Sequence, residues 1–220
     1  MITCYAFAAV PPFARGLVRD LRVRWALEEA GIPYRVTLVG EGDSAISPSR
    51  YRGIQPFGQV PAIEDGDLTL FESGAIVLYI AEQGVELLPA DRASRAKVVQ
   101  WMFSALNTIE PQIQQLAAID LFHANESWAK DRRPAVLEMV KTRLAVLTSA
   151  LDARPFLTGR FSAADLLMTS VLRILRHTDL VEQQPVLGEY KARCEARPAF
   201  RKALADQMAV FGGDARQKRA

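Results

Sequence analysis

Only two cysteines and two histidines occur in 220 residues, and that scarcity removes several kinds of chemistry at once. Cys4 and Cys194 stand far apart, one in an expected strand and one in an expected helix, so they give neither a disulfide framework nor a metal-binding spacing. His123 and His177 are equally isolated, and no metal site is expected. A reducing cytoplasm suits such a chain. No apolar run approaches the roughly 20 residues of a membrane-spanning helix. The N-terminus has no charged segment followed by an apolar stretch and a cleavage site, so a soluble intracellular protein is expected. Charge of one sign is also missing. The 27 basic and 25 acidic residues leave a net +2, too little to favour nucleic acid or an acidic surface. Gly212-Gly213 has no strand before it and makes no phosphate loop. The basic run Arg216-Gln217-Lys218-Arg219 is short and terminal, and a frayed, solvated tail is expected there.

Half of the residues are apolar, enough for a substantial core, and the length suits two small domains. Ile2 to Ala8 reads as a strand. A Pro-rich connection, Val10 to Gly16, leads into a helix reaching about Ala30, with Val23, Ala26, Leu27 and Ala30 as its buried stripe. Gly31 and Pro33 end it. Tyr34 to Val39 alternates as a second strand, parallel to the first because a helix joins them. A polar segment with Gly40, Gly42 and Pro48 follows, irregular or briefly helical. Val60 to Ile63 and Leu68 to Phe71 then flank a hairpin signal at Asp65-Gly66. The next helix runs from about Ser73 to Gln83.

From about Ala93 only helical patterns remain. Val136, Met139, Val140, Leu144, Leu147 and Leu151 share one face of a helix between Pro134 and Pro155. Ser162-Ala163-Ala164-Asp165 reads as a capping box with Phe161 as its staple, a structural device. The expected division is a first domain at 1–84, a linker at 85–92 containing Leu87 to Asp91, an all-helical domain at 93–212 and a flexible tail at 213–220.

Two segments carry the functional signal. Gly58-Gln59-Val60-Pro61-Ala62-Ile63 places a Val-Pro step between a turn and a strand, where a cis peptide can present backbone groups to an extended ligand. Phe71-Glu72-Ser73-Gly74-Ala75-Ile76 adds a carboxylate for an ammonium group, and a hydroxyl with helix N-terminal N–H groups for a carboxylate. Either alone is a common structural device; together they suit a charged tripeptide. On these residues, and over nearly the whole chain, the sequence resembles the cytosolic glutathione transferase superfamily. That resemblance implies an α+β fold: a thioredoxin-like domain of order βαβ-α-ββα, then an all-α helical bundle. It implies glutathione as co-substrate and no metal, a small hydrophobic electrophile, a two-fold homodimer, and detoxification as the role. Val60 and cis Pro61 would hold the cysteinyl unit, Glu72 and Ser73 the γ-glutamyl end, and Gln59 the glycyl end or solvent.

One absence cuts against the family pattern. The usual thiol-activating Tyr, Ser or Cys sits near the start of the first helix, yet no hydroxyl or thiol occurs between Tyr5 and Tyr34. Phe13 stands where the Tyr would fall, and Leu17 or Val18 where the Ser would. The remaining donors are Arg15 and Arg19, together with the backbone N–H groups around Gly16 and Leu17 at the helix start; Tyr5, early in the strand, would serve only if the chain folded back. Asp20 reads as a surface partner of those arginines. Cys4, in a buried strand, is poorly placed for thiol–disulfide chemistry. An electrophile pocket is expected from the Pro11 to Arg15 loop and the helix around Trp101, Phe103, Ala105, Leu106 and Asn107. The alternative reading is a glutathione- or partner-binding module of the same fold that has lost turnover.

Overall fold

Five strands, β1 (Ile2–Phe7), β2 (Tyr34–Val39), β3 (Ala45–Ile46), β4 (Ala62–Asp65) and β5 (Leu68–Phe71), form one sheet in the order β3-β2-β1-β4-β5. They are seen in a computed structural model that describes residues 1–41, 45–152 and 154–212. Gly42, the segment 213–220 and its basic run lie outside the described residues. β1 and β2 are parallel with Ile2 opposite Tyr34 and Phe7 opposite Val39. β4 is antiparallel to both β1 and β5. The parallel pair follows from the helical crossover, α1 (Asp20–Ala30). The antiparallel pair closes through a two-residue loop, Gly66-Asp67, with Gly66 at φ 59°. Only a residue tolerant of positive φ fits that loop. α2 (Pro48–Tyr51) is the short helical link, begun by Ser47 as N-cap and Pro48 at the first position. α3 (Ser73–Ala81) completes the thioredoxin-like order. The two-residue strand β3 was not foreseen, being too short to carry a period.

In the second half only helices occur among the described residues: α4 (Arg92–Phe103), α5 (Glu110–Phe122), α6 (Ser127–Leu151), α7 (Ala163–Leu172), α8 (Pro185–Glu195) and α9 (Pro198–Gly212). Contacts divide the chain into two compact units, one of Met1–Leu87 together with the chain from Arg197 onward, the other of Leu88–Ala196. The last helix, grouped by the sequence reading with 93–212, therefore packs with the first unit. Its reason is α1. Leu21 to Leu27 of that helix are all buried, far more than a single stripe. α3 covers part of α1 and α9 another. Trp25, fully buried, meets Phe200 of α9 with ring centroids 4.8 Å apart, edge to face. Arg197 clasps Glu29 by two bonds of 2.6 and 2.7 Å.

Asp20, expected at the surface, is 1% exposed. It accepts from Arg24 Nε at 2.8 Å and from Gln207 Nε2 at 2.7 Å. Burial pushes its carboxyl above the usual range, opposed by Arg24 and Gln207. Arg22 and Arg24 of the same helix are buried as well.

In the helical unit, α6 begins at Ser127 and carries Pro134 inside it, where a start at Pro134 was expected. The ring removes one N–H bond without ending the helix, and Val136, Val140, Leu144, Leu147 and Leu151 are buried as the periodicity required. Ser104–Ile109, between α4 and α5, is a π-helical turn. Glu110 separates it from Pro111, whose ring in an unbroken α-helix would press on the carbonyl four residues earlier, inside the turn. The capping box at Ser162 is present. Asp165 is fully buried; its Oδ2 accepts from the Ser162 N–H at 3.0 Å and hydroxyl at 2.9 Å. Its Oδ1 accepts from the Leu157 N–H at 2.9 Å and the Tyr190 hydroxyl at 3.0 Å. One carboxylate thus ties α7, α8 and the preceding loop together.

Asp165→Asn turns an amide N–H₂ toward donors and is expected to cost about 2–4 kcal/mol in urea unfolding. A loss below about 0.5 kcal/mol would contradict this role. Gln207→Ala leaves Asp20 Oδ1 without its donor, and a loss of about 1–3 kcal/mol is expected by the same measurement.

Candidate functional site

The segment from Gln55 to Pro61 is loop, yet it is held firmly. Tyr51, fully buried on α2, donates its hydroxyl to the Gln59 carbonyl at 2.9 Å. Gln55 Oε1 accepts the Gln59 N–H at 3.0 Å. Both backbone groups of Gln59 are therefore fixed from the α2 side. Tyr51 also packs on Tyr5 with ring centroids 5.4 Å apart, in a small core with Val39, Val60 and Ala62. Gly58 sits at φ 67°, where any side chain is strained. A Cβ there would come 3.3 Å from Arg52 Cζ in a backbone conformation that L-residues avoid.

The next peptide, Val60-Pro61, is cis. The Val60 side chain is buried, but among the described residues no hydrogen bond reaches its N–H or C=O. A buried side chain anchors a length of backbone whose polar edge has no partner among the described residues. Gln59 beside it is exposed, near a cavity of about 400 Å³ lined by Phe7, Ala8, Tyr51, Arg52 and Gly58.

Across the β4–β5 hairpin, Glu72 adopts φ 69° and ψ 113°, a conformation that costs a non-glycine residue about 1–3 kcal/mol. Its carbonyl accepts the Ile76 N–H at 3.0 Å as the first bond of α3. Its side chain is exposed, and no ion pair among the described residues engages the carboxylate. Ser73 opens α3 and is buried, with its hydroxyl accepting from Arg22 Nη1 at 3.2 Å. The N-terminus of α3 thus presents backbone N–H groups, a hydroxyl and a nearby guanidinium, all favourable to an anion. Glu72 stands next to them as the group for a cation. Sequence reasoning names Gln59, Val60, Pro61, Glu72 and Ser73, and the structure sets Val60-Pro61 in the loop before β4 and Glu72-Ser73 at the start of α3. Sequence reasoning missed Tyr51, Gln55 and Arg22, whose roles depend on side-chain directions that spacing does not reveal.

The thiol-activating candidates are arranged differently from expectation. Pro12–Ala14 forms one 3₁₀ turn, and the Leu17 N–H is donated to the Ala14 carbonyl at 2.9 Å instead of pointing outward. Gly16 is buried at φ 76°. Arg15 is half-buried, its guanidinium carbon 5.9 Å from the centre of the Phe211 ring on α9. Tyr5 donates its hydroxyl to Glu64 Oε2 on β4 at 2.7 Å. Burial and that bond push its phenol up to about 12. Its hydroxyl hydrogen is thus engaged within the sheet. Cys4 and Cys194 form no disulfide and are fully buried, and desolvation holds the Cys4 thiol well above its ordinary value. Neither supplies a thiolate nucleophile. Of the expected electrophile-binding residues, Ala105 is buried and Phe103 is exposed, and Ala105, Leu106 and Asn107 belong to the π-helical turn.

A sequence profile described as the glutathione S-transferase N-terminal domain matches residues 14–82, which span α1, the sheet from β2 onward, the Val60-Pro61 step and the Glu72-Ser73 pair. Over 222 residues, covering 96% of this chain and 95% of the relative, the sequence is 30% identical to glutathione S-transferase 4 of Zea mays. It is also 30% identical, over 81% of this chain and 86% of the relative, to a disulfide-bond oxidoreductase of Escherichia coli. A glutathione transferase from Burkholderia graminis, solved with two glutathione molecules bound per subunit, superposes with a TM-score of 0.79 at 28% identity, covering 92% of this chain and 87% of that one. A glutathione transferase from Pseudomonas putida, solved with one glutathione disulfide per subunit, gives 0.79 at 27% identity, with 92% and 90% covered. The likeness extends through the thioredoxin-like sheet and the helices beyond it, and the chain belongs to the glutathione S-transferase superfamily.

Proposed function

We propose that the protein binds glutathione along Val60 and the N-terminus of α3 and activates its thiol for conjugation to a small hydrophobic electrophile. The observation that carries this is the unpartnered backbone edge at Val60, next to an anion-seeking helix end and an open carboxylate. An extended peptide pairs with such an edge. The Val60 N–H and C=O meet the cysteinyl unit, Ser73 and the α3 N–H groups meet the γ-glutamyl carboxylate, and Glu72 meets its ammonium. Gln59 and the cavity beside Arg52 take the glycyl end.

A thiol near its ordinary pKa of about 8.5 is mostly protonated at neutral pH, so the site must favour the anion. Arg15, a half-buried cation before the first helix, and the backbone at the buried Gly16 are the donors we assign. A cation beside a thiolate lowers its pKa by favouring the charged form. The subunits assemble, in this reading, as a two-fold homodimer in the cytoplasm. Phe57, 65% exposed and edge-on to Phe71, is a large apolar surface for such a contact.

A second reading has a specific basis in the Escherichia coli oxidoreductase and in neighbours that hold two glutathiones or glutathione disulfide. One glutathione thiolate attacks a substrate disulfide and releases one thiol. A second glutathione then attacks the glutathione sulfur of the mixed disulfide, releasing the other thiol and glutathione disulfide. Both electrons come from glutathione, which suits a chain whose own cysteines are buried. Chlorodinitrobenzene and hydroxyethyl disulfide, assayed in parallel, separate conjugation from disulfide reduction.

Glu72→Gln and Ser73→Ala are each expected to weaken glutathione binding about tenfold in calorimetry; unchanged saturation in both would remove this site. The ultraviolet thiolate band of bound glutathione is expected to persist well below the free thiol's titration range. Bound glutathione with an unshifted thiol would instead indicate a binding module without turnover. Tyr5→Phe is expected to leave that titration where it is, and an upward move in thiol pKa would return Tyr5 to the mechanism. Sedimentation as a 24.4 kDa species at micromolar concentration would contradict the dimer.

A further inference from the structure

Arg22 is a long cationic side chain on the first helix, and it is 3% exposed. Burying a guanidinium costs far more than a solvated surface position, so its partners matter. One of them is the Ser73 hydroxyl, which accepts from Arg22 Nη1 at 3.2 Å. Ser73 is the first residue of α3, and its neighbour Glu72 is held at positive φ. A charged donor from α1 therefore reaches into the same corner where α3 begins.

A hydroxyl has one hydrogen to donate and two lone pairs to accept with. When Arg22 occupies a lone pair, the Ser73 hydrogen must point elsewhere. The charge-assisted bond also draws electron density from the oxygen and makes that hydrogen a stronger donor. Without Arg22 the hydroxyl is free to turn its hydrogen onto a carbonyl of its own helix or loop. Arg22 further adds a full positive charge to the partial charge of the α3 N-terminus.

We propose that Arg22 is a positioning residue for the γ-glutamyl carboxylate: it fixes the rotor of Ser73 so that the hydroxyl donates outward, and it raises the affinity of the α3 N-terminus for an anion. This rests on the glutathione reading given above. Arg22 acts through Ser73, and its effect is specific to one of the two charges at that end of the ligand.

Two glutathione analogues separate those charges. Glutaryl-Cys-Gly keeps the carboxylate and lacks the ammonium; 4-aminobutanoyl-Cys-Gly keeps the ammonium and lacks the carboxylate. Calorimetric titration of the intact protein with glutathione and both analogues is run for the wild type, Arg22→Met, Arg22→Lys, Ser73→Ala and the Arg22→Met/Ser73→Ala double variant. Arg22→Met is expected to weaken glutathione and glutaryl-Cys-Gly about tenfold while changing 4-aminobutanoyl-Cys-Gly by less than about twofold. Arg22→Lys recovers part of the loss. The double variant binds glutathione within about threefold of Ser73→Ala alone, since most of the effect passes through that hydroxyl.

Equal weakening of all three ligands in Arg22→Met, or full additivity in the double variant, would overturn the proposal. If Arg22→Met does not fold, a twofold or smaller effect of Arg22→Lys on glutathione and glutaryl-Cys-Gly would do the same. Failure of the underlying site looks different: Ser73→Ala itself would leave glutathione binding unchanged.

Discussion

A stretch of backbone with nothing hydrogen-bonded to it must be kept rigid, and the whole candidate site depends on how that is done. Val60 has no ladder partner among the described residues. Its order comes from its neighbours, with Tyr51 and Gln55 holding the carbonyl and N–H of Gln59 from the α2 side. The Val60 side chain is buried in the cluster of Tyr5, Val39, Tyr51 and Ala62. The edge is thus pre-organised, and a peptide that pairs with it has little ordering entropy to overcome. Tyr5 takes its place in this account as packing for Tyr51, with its hydroxyl tied to Glu64.

The other half of the site is held by charge. α1 presents Arg22 toward α3, while Arg24, two residues later, meets Asp20 and through it Gln207 of α9. A helix buried on nearly every side carries three charged groups in its first turns, and each has a partner. An apolar core would tolerate small shifts of α1. Directional bonds from buried cations and a buried carboxylate do not, because displacement leaves a desolvated group unpaired. The start of α3, where Glu72 is held in a costly conformation, is therefore braced against a helix that itself has little freedom to move.

Much of this was legible where the signal is local. Turn chemistry and alternation marked β2, the hairpin and α3, and the Val60-Pro61 and Glu72-Ser73 pairs were visible as donors and charges at suggestive spacing. Ser162 and Asp165 announced their cap because both partners lie within one turn. What stayed hidden depends on distant residues. Asp20 reads as a surface residue in sequence, and Gln207 of α9 and Arg24 make it interior, while Arg22 turns toward Ser73 of α3. The positive φ of Glu72 had no signal, since glycine is the usual marker of that conformation. The π-helical turn before Pro111 was hidden because a proline near a helix start is ordinary, and only the continuity of α4 into α5 makes it an obstacle. The thiol-activating group left no local mark: the segment between Tyr5 and Tyr34 has no hydroxyl, and the Leu17 N–H that the sequence offers is donated to Ala14.

Because α9 packs with the unit that begins at residue 1, that unit is discontinuous in the chain, interrupted by the whole of 88–196. During synthesis the sheet, α1 and α3 emerge first, but Trp25 lacks Phe200 and Asp20 lacks Gln207 until the chain beyond Arg197 has left the ribosome. The molecule therefore completes its beginning last, and an incomplete chain leaves an indole and a carboxylate–guanidinium pair uncovered, a surface on which chaperones and proteases can act while synthesis is unfinished.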